Sequence, residues 1–382
     1  MFSFLAFLKA HSKALSKIIL VSLVFAPSIL ITFVIASYWA GRNFPWWTDG
    51  GTWLKHANAI LGDAYPMWEE GTYQYPPLFF IFLAAIVKTI GDPLLSIKLL
   101  ALISLFIYPP AMCLLSKEMF GSLLAGVVAA WLTAFFPLFL EFVGWGGYPN
   151  ILSFTSLSVA FYFMIKFIEE ESSRSGILAA IFTVVVILTH HLTSLILLGV
   201  LGLWTIFSLG FRGVERKRVA TLLIVALSAF LIYRLVYAWP PDFIFLNEAA
   251  YHRLRYTINL YYIFKSPIFL TLFMVTFITS IPILIRAKVP GFKLRFVTAW
   301  ILAPLLGTQG YLVKIALDYN RVFFFVYQPL LLLTFASALL INPGEIMELF
   351  RGESFKSLKQ ISFQLRALNY VSRKFGLGYT FD

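Results

Sequence analysis

The sequence has one cysteine, Cys113. That leaves no intrachain disulfide and no Cys-based metal site. Charge is scarce too: 13% of the 382 residues are Asp, Glu, Lys or Arg, and 18 are acids. There is no tract of histidines, no Gly-rich phosphate-binding loop of the P-loop type and no Asp-x-Asp. These shortages exclude a disulfide-stapled secreted fold, a P-loop nucleotide enzyme and a thiolate zinc site. No removable leader is expected either. The start, MFSFLAFLKAHSKALSK, is followed by an apolar run too long for a signal peptide, with no small-residue cleavage site.

What the chain has instead is hydrophobic length. Sixty per cent of its residues are hydrophobic. Several apolar runs reach or approach the roughly 20 residues that cross a bilayer as a helix. They do not alternate as barrel strands would. The expected fold is an all-α polytopic membrane protein. The net charge of +12 sits largely in short loops such as FRGVERKR (211–218) and RAKVPGFKLR (286–295). That is a positive-inside bias, not a phosphate-reading groove. The partner it implies is membrane lipid, with no nucleic acid.

Lys9, Lys13 and Lys17 put the N-terminus in the cytoplasm, ahead of a first span over 18–40. The loop that follows, 41–77, is then extracytoplasmic. Its core, Phe44 to Leu78, holds Asp49, Asp63, Glu69 and Glu70, four of the 18 acids. Carboxylates beside a bilayer are costly and mark function. Three apolar stretches come next, at 78–90, 94–115 and 122–140, and the first is short for a span. Further spans are expected near 151–168, 176–190, 192–210, 219–239, 266–285, 296–312 and 322–341. Counting back from the basic loop at 211–218 puts His190-His191 outside, Glu169–Arg174 inside and GWGGYPN (144–150) outside. That count leaves 78–90 not fully spanning and gives about ten crossings, within a range of roughly nine to twelve. Residues 1–341 form a single transmembrane domain. The tail, 342–382, is expected in the cytoplasm, where Leu358, Ile361, Leu365 and Leu368 repeat at helical spacing among Lys and Arg.

By this topology five unusual features share the outer side. Asp49 opens a helical run ending near Leu61 and Gly62, in which Asp49, Trp53 and His56 fall on one face. Asp49 reads as a general base or as a helix N-cap, and the two roles are compatible. Glu69-Glu70, with Tyr75 nearby, reads as a hold on sugar hydroxyls or on a divalent cation such as Mg or Mn, or as a solvated loop pair. No cofactor is certain. In GWGGYPN, Trp145 and Tyr148 read as rings that stack on a sugar, or as parts of a plain turn. His190-His191 reads as a phosphate or proton-sharing pair, or as an interfacial pair closing a helical hairpin. Arg321, with Lys314 before it, reads as a phosphate clamp, a lipid-boundary anchor or a partner of Asp318. The segment Tyr251 to Tyr262 covers the site as a lid or lies at the interface.

The pattern resembles the membrane-embedded glycosyltransferases of the C type (the GT-C superfamily). The resemblance is carried by the first-loop acid Asp49, the following TWLKHANAILGDAYPMW, QYPPL, and the later GWGGYPN and THHLTS, which look like archaeal members. It covers roughly residues 18–210 well and the remainder only by layout. It implies an enzyme that takes a sugar from a polyprenyl (dolichyl) phosphate carrier outside the cytoplasm. The sugar would pass to a lipid-linked glycan, a lipid or a protein. Asp49 would be the base, and Arg321 and Lys314 the carrier-phosphate ligands. The chain departs from better-known members in lacking a soluble C-terminal domain and an Asp-x-Asp. Two other classes share parts of the pattern: a flippase of lipid-linked sugars, and a non-catalytic scaffold of the same fold. A transporter would show internal repeats or polar groups at the membrane midplane, and neither is evident.

Overall fold

A computed structural model describes residues 2–40, 49–62, 75–135, 143, 146–210, 213–237, 289–307, 325–326, 328–330 and 332–333. Regular structure among them is entirely helical. In chain order the helices are α1 (Phe2–Ala40), α2 (Asp49–Leu61), α3 (Leu78–Ile90), α4 (Pro93–Phe120), α5 (Leu123–Phe135), α6 (Tyr148–Glu170), α7 (Ser173–Thr189), α8 (His191–Ser208), α9 (Val214–Tyr237) and α10 (Gly291–Gly307). Five segments are long and apolar enough to cross a membrane: Val21–Ala40, Pro93–Phe120, Tyr148–Glu170, His191–Ser208 and Val214–Leu235. Helices α3, α5 and α7 are shorter and apolar. This agrees with a helical membrane protein. The tail 342–382 and the expected spans near 266–285 and 322–341 lie wholly or largely outside the described residues.

Local chemistry sets the helix ends. Asp92 caps α4, its carboxylate accepting from the amides of Leu94 (2.9 Å) and Leu95 (3.0 Å), with Pro93 in the first turn. Proline suits that position because its missing N–H would find no helical partner there. Gly91 ends α3 in the left-handed region, φ 79°, where a β-carbon would be strained. It turns the chain within two residues from α3 into α4.

Packing is built on α4 and α6. Helix α4 lies against α1, α5 and α6; α6 also lies against α7; α8 joins α9 and α10. Small and hydroxylic residues line these seams. A β-carbon on Gly126 would sit 2.7 Å from the Cys113 carbonyl oxygen, so α5 approaches α4 closely only because that residue is glycine. Thr155 donates to the Ser104 carbonyl oxygen at 3.2 Å, and Ser158 to Met112 Sδ at 3.1 Å, tying α6 to α4. Lipid supplies no hydrophobic drive between helices, so close backbone approach and such bonds carry the association. Large rings fill the rest: Phe161, Trp204, Phe296 and Trp300 are fully buried and meet at 4.9–5.6 Å between centroids.

One end of the bundle is a layer of ion pairs. Glu169, Glu170 and Glu171 meet Lys293 (2.7 Å), Lys166 (3.0 Å) and Arg218 (3.2 Å) in turn. Lys293 also donates to the Glu118 carbonyl oxygen at 2.7 Å, bringing the end of α4 into the layer. Arg295 grips Glu215 with two guanidinium nitrogens, and Ser208 donates to the same carboxylate at 2.9 Å. The three acids of 169–171 are anomalous for an inner loop by composition. They are counter-ions of Lys293, Lys166 and Arg218.

Candidate functional site

The opposite end of the bundle gathers rings. Helix α6 runs from the ion-pair layer at Glu170 back to Tyr148, and α7 runs from Ser173 up to Thr189. The apex after α7 is His190-His191, whose imidazoles stack at 5.0 Å. Tyr75, just ahead of α3, lies edge-on to both, 5.7 Å from His190 and 5.1 Å from His191. Its other neighbour is Trp53 at 4.9 Å. Trp53 and His56 lie three residues apart on α2 and are both buried, so these two share a face. His56 stacks on Phe80 at 4.5 Å, and Phe80 also meets Trp53 and Tyr75.

A single hydrogen bond ties this cluster to the glycine-rich turn. Trp53 Nε1 donates to the Gly146 carbonyl oxygen at 2.7 Å, across 93 residues. Two residues on, Tyr148 is fully buried and edge-on to Trp39 at 5.8 Å. Its hydroxyl has no hydrogen-bond partner among the described residues. Lys98 of α4 reaches the Trp39 carbonyl oxygen at 3.2 Å, so α1 and α4 join the same end.

His190 is structural as well as a site candidate. Its amide donates to the Val186 carbonyl oxygen (3.2 Å) and finishes α7. Its carbonyl oxygen accepts from Ser194 N (3.0 Å) and starts α8. Its Nδ1 accepts from Thr193 N at 3.2 Å, the bond of an N-cap. His190 therefore ends one helix and caps the next, and both imidazoles lie beside Tyr75. Burial holds the His56 imidazole below the usual histidine range, because charging it would strip it of water.

Of the residues singled out from sequence, His56, Tyr75, Tyr148, His190 and His191 come to this end. Asp49 is the first residue of α2, one turn ahead of Trp53. Glu69, Glu70, Trp145, Lys314, Arg321, Asp318 and the segment from Tyr251 to Tyr262 lie outside the described residues. Among the described residues no group of three His, Cys, Asp or Glu is placed to hold a metal ion. The pair suggested for a cation, Glu69-Glu70, is not among them. Sequence reasoning missed Phe80 and Trp39, which nothing separates from the apolar runs around them. It also passed over Trp53 as a site residue, although its helical spacing to His56 was visible.

Residues 52–259 match the model of a family of unknown function, DUF6541. That is more than half of the chain. The chain belongs to the DUF6541 family. No curated protein matches it. The stretch shared with DUF6541 begins three residues after Asp49 and takes in Trp53, His56, Tyr75, Phe80, Gly146, Tyr148, His190 and His191. All of the ring-lined end but Trp39 therefore falls inside the family's own region, and Lys314 and Arg321 fall beyond it.

Proposed function

We propose that this DUF6541 chain is an integral membrane glycosyltransferase that moves a sugar from a polyprenyl phosphate donor to a lipid-linked glycan, lipid or protein. The observation that carries the reading is the meeting of four sequence-distant segments at one bundle end. They are α2, the Tyr75-Pro-Pro segment, the turn at Gly146–Tyr148 and the His190-His191 apex. Tyr75 and His191, both only partly buried, suit a pyranose ring and its hydroxyls or a phosphate oxygen, with Trp53 and Phe80 packed beside Tyr75. The opposite end, by contrast, is consumed by ion pairs.

In this reading Asp49 takes a proton from the acceptor hydroxyl. The acceptor oxygen attacks the anomeric carbon, and the bond from that carbon to the phosphate oxygen breaks. The polyprenyl phosphate leaves with the electron pair, held by Arg321 and Lys314. A single displacement inverts the anomeric centre. In this reading the ion-pair layer and both termini face the cytoplasm and the ring-lined end faces outside, the side that the basic loops favour. About ten crossings complete the topology, with α3 not fully spanning.

The test is sugar transfer in proteoliposomes, with labelled polyprenyl-phosphate sugars and source lipid extract, comparing wild type with Asp49→Ala. Transfer by the wild type that vanishes in a folded, donor-binding mutant is the expected result. Survival of transfer in the mutant removes Asp49 as base. Movement of labelled lipid between leaflets without donor consumption replaces the enzyme by a transporter.

A further inference from the structure

Two proline steps meet inside the bundle. Helix α4 carries Tyr108-Pro109-Pro110 near its middle, and the expected last span, 322–341, carries Gln328-Pro329. Proline has no N–H, so the carbonyl oxygens of Leu105 and Phe106 in α4, and of Phe325 in the span, lose their helical donors. The residues just ahead of the prolines meet across 220 residues of sequence: Gln328 Nε2 donates to the Tyr108 hydroxyl at 2.7 Å. Both side chains are buried. Phe154 of α6 lies beside the pair, its ring 6.3 Å from that of Tyr108 and 4.6 Å from that of Phe325. Gln328 Oε1 has no hydrogen-bond partner among the described residues, so the bond to Tyr108 is what satisfies this amide there. Gln328 is also the one polar side chain among the described residues from 325 to 333, all of which are buried. Apolar side chains pack in several registers, and lipid supplies no hydrophobic drive to choose among them. An amide does choose. A slip of one residue moves a helix by about 1.5 Å and turns it by about 100°, which carries the amide off the hydroxyl. The penalty is that of a buried amide left unsatisfied, not that of one bond exchanged. A single buried polar residue sets register between helices in this way.

We propose that Tyr108 and Gln328 are a register pin, a pair of positioning residues that fixes the depth and rotation of the last span against α4 and α6 at the level of the proline steps. Without it, two helices that proline has already deprived of backbone bonds are joined there by apolar contacts alone. Arg321 stands seven residues ahead of Gln328 in the sequence. In the glycosyl-transfer reading its guanidinium holds the carrier phosphate, so the pin sets the height at which that phosphate is met. The role toward phosphate rests on that reading; the pin does not.

Three measurements on the full chain in nanodiscs separate these claims. Unfolding temperatures are compared for wild type, Tyr108→Phe, Gln328→Met and the double variant. Tyr108→Phe strands the amide and should melt lowest. Adding Gln328→Met to it removes the stranded group and should raise the melting temperature again. Losses that simply add overturn the proposal. A nitroxide on Ser337→Cys, in a Cys113→Ala background, then reports how deeply the last span is immersed. Gln328→Met should shift or spread that depth, and an unchanged depth overturns the pin. Farnesyl phosphate is titrated last, well below every unfolding temperature. The Gln328→Met protein, folded under those conditions, is expected to bind it about tenfold more weakly than wild type. A pair that served stability alone would leave the affinity of folded molecules unchanged, so equal binding removes the positioning role. A wild type that binds no farnesyl phosphate defeats the glycosyl-transfer reading and the role toward phosphate with it. The pin is still judged by melting and depth, which are recorded without ligand.

Discussion

Where α6 finishes, three consecutive carboxylates each meet a cation; where it begins, a tyrosine ring lies edge-on to two imidazoles. The same helix joins two ends assembled from different materials. Ion pairs at the first end satisfy one another: Glu169 uses the ammonium of Lys293, and Glu215 uses the fork of Arg295. A charge matched in that way has little left to offer a ligand. Rings at the second end pack on one another instead: Trp53, His56, Phe80 and His190 are buried, and Tyr75 and His191 are only partly so. The difference teaches where to look for chemistry in a low-charge chain. It is not where charge is densest but where polar rings from distant segments are brought together.

The contrast can be broken or sharpened by mutation, with effects that fall in order. Asp49→Asn keeps a residue suited to a helix start. It should lower sugar transfer by about 10²- to 10⁴-fold, the usual worth of a general base, without lowering the unfolding temperature. A matched assay of rate and melting checks both halves. At the other end, Glu169→Gln keeps an oxygen that can accept from the buried Lys293 but removes its counter-charge. The expected cost is about 1–3 kcal/mol of stability, toward the low end because Glu169 is 38% exposed. Thermal unfolding in detergent reads this, while transfer per folded molecule should stay at the wild-type rate. If Glu169→Gln impairs transfer as strongly as Asp49→Asn, the division between the ends is wrong.

A smaller effect is expected of Trp53→Phe. The ring is kept, and the 2.7 Å bond to Gly146 is lost, for about 1 kcal/mol. Equal stability of the variant would mean that the turn at 146–148 is held by other contacts. The smallest effect is a slope. His56 has its folded-state pKa lowered from 6.5 by burial. The unfolded chain then takes up a proton at a higher pH than the folded chain. Its contribution to stability is complete above about pH 6.5 and is lost progressively as pH falls below that value. His56→Phe, which retains a ring beside Phe80, should flatten the acid side of the curve of melting temperature against pH. An unchanged acid slope places the titration elsewhere.

Much of the ring-lined end was legible before any coordinates. The periodicity of 49–62 marks α2 from its first residue to Leu61, because an amphipathic helix writes its buried face at every third or fourth position. Two adjacent histidines between apolar runs mark a hairpin apex, because a bilayer tolerates them only at its boundary. Phe80 was not legible. One phenylalanine in LFFIF looks like the next, and only the tertiary position of His56 distinguishes it. Thr193 was hidden for another reason: an N-cap partner is defined by the residue three before it, and histidine is an uncommon cap. The Glu169–Glu171 run looked misplaced on an inner loop. Its partners are Lys166, Arg218 and Lys293, the last more than a hundred residues away, and a rule about loop charge does not see such pairings.

Helix α3 has a consequence for the lipid around it. Thirteen residues make it about 20 Å long, against about 30 Å of hydrocarbon in a typical bilayer. It starts beside Tyr75 and turns at Gly91 straight into α4, so no second helix extends it toward the ion-pair layer. Its outer face is apolar, with Ile81, Phe82 and Ile90 exposed, and Lys88 is exposed near its end. Both of its ends nevertheless belong to one end of the bundle: Tyr75 precedes it among the rings, and α4, which follows Gly91, meets α1 there through Lys98 and the Trp39 carbonyl oxygen. A helix tethered at both ends to one level is a floor under the rings, and its exposed flank is a short apolar ramp leading to the two imidazoles.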